Sequence, residues 1–236
     1  MSYRVVYKDI GQRDYKETWD YQADIFTRLV DSKKQGTRAG DSGEKLLPGT
    51  LIFVEHPHVY TLGKSGSENN LLLDLTQLQA KEASFYRIDR GGDITYHGPG
   101  QLVGYPIFDL DIIKIGLKEY ICRLEEAIII TLGEFGITAS RFEGGTGVWI
   151  DPEIIGKARK ICAIGVKASK YITMHGFAFN VNTDLTYFNN INPCGFTDKG
   201  VTSLKKELGT RQDFEFVKNI VKRNLQVVFD LKWIKE

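Results

Sequence analysis

A cysteine set between proline and glycine, in Asn192-Pro193-Cys194-Gly195, sits on a constrained turn, because proline fixes φ and glycine reaches conformations barred to other residues. Cys122 and Cys162 lie instead inside apolar runs, where cysteine serves as packing. Cys194 is therefore the thiol placed like a nucleophile; the plainer reading is a turn cysteine with no role. It closes the densest stretch of the chain, Gly156–Phe196, two β-rich runs followed by a polar connector.

A second dense stretch is Arg90-Gly91-Gly92-Asp93-Ile94-Thr95-Tyr96-His97-Gly98-Pro99-Gly100-Gln101. Its glycines suit a backbone that approaches a ligand closely and offers its N–H groups, or a hairpin with two glycine turns. Gly98, Gly100 and Gly104 miss the dinucleotide spacing by one residue, so no nucleotide fingerprint is present. Gly63-Lys64-Ser65 mimics the end of a phosphate-binding loop, but His58 stands where that motif needs glycine. His97 and His175 are site residues or satisfied polar residues, and Gly176 within a strand marks close approach of a ligand or another backbone. His56 and His58 read as loop residues rather than metal ligands.

Elements that must position these groups follow from periodicity. Strands are expected at Tyr3–Tyr7, Thr50–Val54, Phe85–Ile88, Ile94–Tyr96, Leu102–Phe108, Thr146–Ile150, Ile161–Val166 and Thr173–Val181. Asp14, with Glu17 completing a capping-box pattern, opens a helix whose apolar stripe runs through Trp19, Phe26 and Val30. Asp74 caps a short helix to about Glu82. Leu117 to Phe135 is the strongest amphipathic helix, stopped by Gly136, and Asp213 caps the last. Asp31–Gly49 is charged, Gly/Ser-rich and aperiodic, which predicts a flexible surface insertion at about 31–49. Consecutive strands imply hairpins and a mixed or antiparallel sheet packed by helices, an α/β (α+β) class, in one domain over 1–236. Regular βα alternation, and with it a doubly wound nucleotide fold, is absent.

Composition excludes several functions. The chain has 42% hydrophobic and 26% charged residues and a net charge of +1, so no global field recruits nucleic acid or a membrane. Its 3 cysteines cannot all pair and no metal-ligand spacing occurs, which predicts a reducing compartment without structural zinc. Neither a targeting peptide nor a ~20-residue apolar span is evident, so the protein is expected in the cytoplasm.

Taken together, these motifs resemble the lipoyl(octanoyl) transferase family, within the group that includes biotin and lipoate protein ligases. The resemblance covers most of the chain. It runs from Glu55-His56-Pro57 and Tyr60-Thr61-Leu62-Gly63, through RGGDITYHGPGQ at 90–101, KICAIG at 160–165 and the His175–Asn180 segment, to INPCG at 191–195. It implies a mixed, largely antiparallel central sheet with a smaller second sheet, flanked by helices. It further implies transfer of an octanoyl group from acyl carrier protein to a lysine of lipoyl domains, in 2-oxoacid dehydrogenases and the glycine cleavage H protein. No cofactor and no metal are implied, and the protein is expected to act as a monomer. The catalytic pair falls on Cys194 and Lys160. Substrate binding falls on Arg90, Gly91, Gly92, Asp93, Ile94, Thr95, Tyr96 and His97, on Ala163, Ile164 and Gly165, and on Gly176, Phe177 and Ala178.

That chemistry suits those residue types. A thiolate takes the acyl group as a thioester and surrenders it to an amine without ATP. A free thiol of pKa ~8.5 is mostly protonated at neutral pH, and a lysine ammonium within ~4–6 Å favours the thiolate. Lys160 then takes the proton from the attacking amine. Tetrahedral intermediates need N–H donors, for which the backbones at 90–100 and 176–178 are candidates. Burying six methylenes at ~0.8 kcal/mol each contributes roughly 5 kcal/mol to chain selection, with Tyr96, Leu102, Ile164 and Phe177 as candidate walls. Lys157, Arg159, Lys167, Lys170, Lys199, Lys205 and Lys206 would give the acidic carrier a basic face. Competing readings are an ATP-dependent ligase, which needs no cysteine, a non-catalytic binding module, and a thiol hydrolase using His97 or His175.

Overall fold

The computed structural model describes residues 2–34, 47–192 and 199–235. The first alternating run becomes β1 (Tyr3–Gln12), longer than expected because Gly11, at φ 62°, bulges the strand and lets it pair on to Glu55. Asp14 caps α1 (Tyr15–Lys34) by accepting from the N–H groups of Lys16 and Glu17 at 2.7 and 3.1 Å. This helix continues past Asp31, where a loop was expected. Its last turn is held by Lys33, which reaches Asp109 at 2.7 Å and Asp111 at 2.5 Å. The remainder of the expected insertion up to residue 46 lies outside the described residues.

Beyond it come β2 (Gly49–Glu55), β3 (Val59–Leu62), α2 (Leu75–Ala80), β4 (Ser84–Arg87), β5 (Ile94–His97) and β6 (Gln101–Ile107). The Asp74–Gln77 capping box starts α2, and Glu82 at φ 50° follows its end. Next are α3 (Leu117–Glu134), β7 (Ser140–Phe142), β8 (Gly145–Ile150), β9 (Arg159–Ser169) and β10 (Ile172–Asn180). Gly136, at φ 73°, lies just past the end of α3, as glycine does at helix C-termini. The last elements are β11 (Gly200–Val201), α4 (Leu204–Leu208), α5 (Phe214–Phe229) and β12 (Leu231–Ile234). The Asp213 carboxylate caps α5 through the Phe216 N–H at 3.0 Å.

Among the described residues the strands form two sheets. The large one runs β12-β1-β2-β6-β10-β9-β8-β7, with β11 alongside β9; the small one runs β4-β3-β5. Pairing is parallel at β12-β1, β1-β2, β9-β11 and β3-β4 and antiparallel elsewhere. The expected mixed, largely antiparallel architecture is therefore found. Both faces of the large sheet are covered, which is why β2, β6 and β10 are nearly continuous apolar runs. On one face α3 and α5 bury Leu124, Ile128, Leu132, Val217, Val221 and Leu225 against Phe53, Leu102 and Phe179. On the other, α1 lays Ile25, Phe26, Leu29 and Val30 on Ile52, Val103, Met174 and Ala178. The small sheet has its own core around Tyr60, Leu62, Leu78, Ile94, Tyr96 and Ile191. No helix among the described residues is long and apolar enough to cross a membrane.

Candidate active site

The glycine stretch is a stitched loop between the two sheets. The Arg90 guanidinium is buried and forks onto the Thr61 carbonyl (2.8 Å), the Thr61 hydroxyl (3.1 Å) and the Gly91 carbonyl (2.9 Å). The carbonyls of Arg90, Gly92 and Asp93 accept from the N–H groups of Lys64, Ser65 and Gly63, which ties the loop to the small sheet. Gly91 N–H donates to the Val166 carbonyl at 2.9 Å, tying it to β9 of the large one. A side chain at Gly63 would collide with the Gly92 carbonyl, and Gly92 itself holds φ 85°, so both positions require glycine. Asp93 accepts from Ile94 N–H and from Asn70 Nδ2, both at 2.6 Å.

His97 ends β5 and begins a chain of polar contacts that crosses the site. Gln101 Nε2 donates to the Tyr96 carbonyl (3.1 Å) and to Asn180 Oδ1 (2.9 Å), so its Oε1 accepts from His97 Nδ1 at 2.8 Å. That fixes the tautomer and leaves His97 Nε2 as an acceptor. Asn180 Nδ2 in turn donates to the Thr202 carbonyl at 3.0 Å. Burial holds His97 neutral, with a pKa pushed down to about 3. His175 takes φ 62° in the middle of β10 and turns Nε2 to Asp89 Oδ1 at 3.1 Å, while Lys167 engages the other Asp89 oxygen. The hydrogen bond to His175, then Lys167, holds the Asp89 carboxyl well below the usual carboxylate range.

Lys160 lies near the start of β9 between two strands. Trp149 of β8 is its antiparallel partner and Val201 of β11 its parallel one. The Thr202 N–H donates to the Lys160 carbonyl at 2.9 Å. The chain that carries Cys194 leaves from Asn192, whose N–H donates to the Asn70 carbonyl at 2.9 Å, and re-enters at Gly200 opposite Arg159. Cys194 itself lies outside the described residues. Cys162 is fully buried, and desolvation pushes its thiol pKa up, which makes it inert as a nucleophile.

A cavity of about 590 Å³ joins these groups, within the ~300–1,000 Å³ range of small-molecule sites. Lys160, the Arg90–Thr95 loop, His97, Ala163, Ile164, Gly165, Gly176, Phe177 and Ala178 all line it. Tyr96 does not. It belongs to the core of the small sheet, stacked on Tyr187 at 5.0 Å, with its hydroxyl 2.7 Å from His58 Nδ1. Leu102 likewise is fully buried in the main core rather than in the cavity wall. The backbone at 176–178 is not a free row of donors, because β10 lies between β9 and β6 and both its edges are paired there. Gly176 is glycine because a side chain would strike the Gly104 carbonyl of β6, so the close approach is that of another strand.

His56 bonds the Arg13 carbonyl (2.8 Å) and the Tyr105 hydroxyl (2.9 Å), and His58 stacks on Tyr187 at 4.1 Å, so both are structural. No cluster able to hold a metal occurs among the described residues. Two of the expected basic-face residues are committed elsewhere: Arg159 to Asp151 and Glu207, Lys167 to Asp89. Lys199, expected on the basic face, does line the cavity, whereas sequence reasoning did not assign Tyr15, Leu117, Ile121 and Trp149 to the site. Leu117 and Ile121 carried the signal of a helix stripe, which is the same whether the stripe meets a core or a cavity.

The profile of the lipoyl protein ligase A/B catalytic domain matches residues 14–226. Two similar proteins, each named octanoyltransferase, come from Cytophaga hutchinsonii and Parabacteroides distasonis. The first is 54% identical over 228 residues, 96% of this chain and 93% of that one. The second is 52% identical over 223 residues, 94% and 97% of the two chains. Among solved structures, lipoate-protein ligase A bound with ATP aligns with a TM-score of 0.68 at 15% identity, over 100% of this chain and 89% of that one. The bi-partite lipoate protein ligase of Thermoplasma acidophilum aligns at 0.65 and 16% identity, over 100% and 86%. These two show the same fold.

Proposed function

Because this chain belongs to the lipoyl protein ligase A/B catalytic-domain family, we propose that it is an acyltransferase that moves an octanoyl or lipoyl group from acyl carrier protein to lipoyl domains. The names of its relatives support the octanoyl reading. The acceptors are the lipoyl domains of 2-oxoacid dehydrogenases and the glycine cleavage H protein. Residues 1–236 act as a single catalytic unit, monomeric and cytoplasmic, through a thioester on Cys194.

One observation carries the reading: Lys160 lines the cavity while its parallel ladder partner, Val201, lies in the strand into which the Cys194 segment returns. In the first step the Cys194 thiolate attacks the carrier thioester. A new carbon–sulfur bond forms, the old one breaks, and the leaving carrier thiolate takes a proton from the Lys160 ammonium. In the second, the acceptor amine attacks the acyl-enzyme, neutral Lys160 takes the amine proton, and the Cys194 thiolate leaves. Ile164 and Phe177 on the cavity wall bury the chain. The Arg90 side chain holds the glycine loop to the small sheet and the Gly91 N–H holds it to the large one, and the Gly92 N–H is the candidate donor to the tetrahedral oxyanion.

Intact-mass spectrometry of the wild type, Cys194→Ala and Lys160→Met, mixed with octanoyl-carrier protein and no ATP, tests the route. The wild type gains one octanoyl mass and passes it to an apo lipoyl domain, and Cys194→Ala gains none. Transfer that appears only with free octanoate and ATP, and survives Cys194→Ala, would establish the ATP-dependent ligase instead.

A further inference from the structure

The wall of the cavity beside Lys160 is an aromatic platform. Lys160 Nζ lies 4.6 Å from the Trp149 ring centroid, inside the ~6 Å at which a ring face attracts a cation. Phe142 meets Trp149 at 5.4 Å, and Lys199 Nζ stands 5.0 Å over the Phe142 ring. Two touching rings thus carry two ammonium groups where the Cys194 segment returns to the sheet.

A β-bulge builds this contact. Val148 opposes Cys162 but Trp149 opposes Lys160, so Ile161 is the extra residue of β9. Ile161 and Cys162 both enter the main core, while Lys160 and Trp149 face the cavity. Gly147 allows the bulge with φ 119°, at a position where a side chain would strike the Cys162 carbonyl. Its N–H donates to Glu125 Oε1 at 2.9 Å, and Arg141 Nε holds Glu125 Oε2 at 3.1 Å. Glu125 is buried on α3, so a helix carboxylate fastens the strand from beneath. The indole edge is fixed by its Nε1–H, which donates to the Gly145 carbonyl at 2.8 Å.

We infer that Trp149 is a positioning residue for acyl transfer: its ring face orients Lys160 and favours the ammonium that supports the Cys194 thiolate. The inference rests on the assignment of Cys194 and Lys160 above. Lysine has a flexible four-carbon stem, and a packed ring face restricts where its charged end resides. Among the described residues, the other charged or titratable groups of the cavity wall are Arg90, Asp93, His97, His175 and Lys199, with the neutral phenols of Tyr15 and Tyr105. Glu125 on α3 and Cys162 on β9 lie behind Lys160. None of these side chains is substituted in the Trp149 variants, and the comparison of Trp149→Leu with Trp149→Phe isolates the ring face.

The test is the pH dependence of Cys194 alkylation and of acyl-enzyme formation in the wild type, Trp149→Leu, Trp149→Phe and Lys160→Met. Trp149→Leu is expected to move the midpoint up by about 0.5–1 pH unit and slow acylation at pH 7 by roughly 3- to 10-fold. Trp149→Phe, which keeps a ring face, restores the midpoint and brings the rate back to within about threefold. Biosynthetic incorporation of difluorotryptophan into a variant carrying Trp19→Phe and Trp233→Phe, which leaves Trp149 as its one tryptophan, weakens the ring face with its shape nearly kept, so it shifts the midpoint the same way even where Trp149→Leu does not fold. A slower Trp149→Leu with an unmoved midpoint would make Trp149 a plain cavity wall and overturn the inference. A wild-type profile in Lys160→Met would overturn the catalytic assignment itself, a different result from an unmoved Trp149→Leu with a shifted Lys160→Met.

Discussion

Val201 stands opposite Lys160 in parallel register, and the Thr202 N–H beside it donates to the Lys160 carbonyl at 2.9 Å. The chain that leaves the described residues after Asn192 therefore returns to the sheet beside Lys160, the proposed partner of Cys194. Thr202→Pro removes that donor without shortening the segment. Its expected result is acyl-enzyme formation slowed at least tenfold, with stability lower by about 1–3 kcal/mol in urea unfolding. A rate within twofold of wild type would show that the register does not hold the pair.

Arg90 anchors the glycine loop through a planar fork onto the Thr61 carbonyl and hydroxyl and the Gly91 carbonyl. Lysine offers a point charge that cannot span these acceptors. Arg90→Lys is expected to lower kcat/KM for octanoyl-carrier protein at least tenfold, measured by transfer to an apo lipoyl domain.

Two glycines separate strand packing from helix propensity. Gly176→Ala forces β10 away from the Gly104 carbonyl and is expected to destabilise by about 1–3 kcal/mol and reduce acylation. Gly133→Ala, in α3 with open space around its Cβ position, is expected to stabilise by about 0.4–1 kcal/mol and leave acylation unchanged. Denaturant midpoints moving in the same direction for both would contradict the packing described.

Acid stability depends on buried histidines kept neutral. Burial lowers His56 to about 4 and His97 to about 3, and His175 also lies below its ordinary value through burial. Below pH ~6.5 the unfolded chain binds protons that the folded one refuses, so stability falls as pH falls. The loss runs from about 6.5 down to each folded value and approaches ~1.4 kcal/mol per pH unit for each histidine. Replacing His97 with glutamine should flatten the slope of unfolding free energy between pH 6 and 4 by up to one proton. An unchanged slope would show that His97 is protonated in the folded protein.

Much of this arrangement was legible in the residues themselves. Alternation placed β5, β6, β8 and β10, and Asp213 and Gly136 marked the helix ends that the dihedrals confirm. What could not be read depends on partners far along the chain. The last turn of α1 survives on Lys33 reaching Asp109, and β11 exists only because Gly200 and Val201 find Arg159 and Lys160. Tyr96 sits within the glycine stretch, yet alternation turns it to the small-sheet core while His97 reaches the cavity. A lone Glu125 on a helix stripe gave no hint that it would hold a strand bulge.

One end of the Cys194 segment packs on the core of the small sheet and the other joins the large sheet. Ile191 bridges to Leu71 and Asn192 bonds Asn70 beside the small sheet, whereas Gly200 and Val201 join β9 of the large one. Contacts of such long sequence separation form late and cooperatively during folding. A chain with only one sheet assembled holds one end of the segment and leaves the other loose. On the proposed thioester route, acylation is thereby coupled to completion of the fold, and a half-assembled molecule is expected not to trap carrier-bound acyl groups.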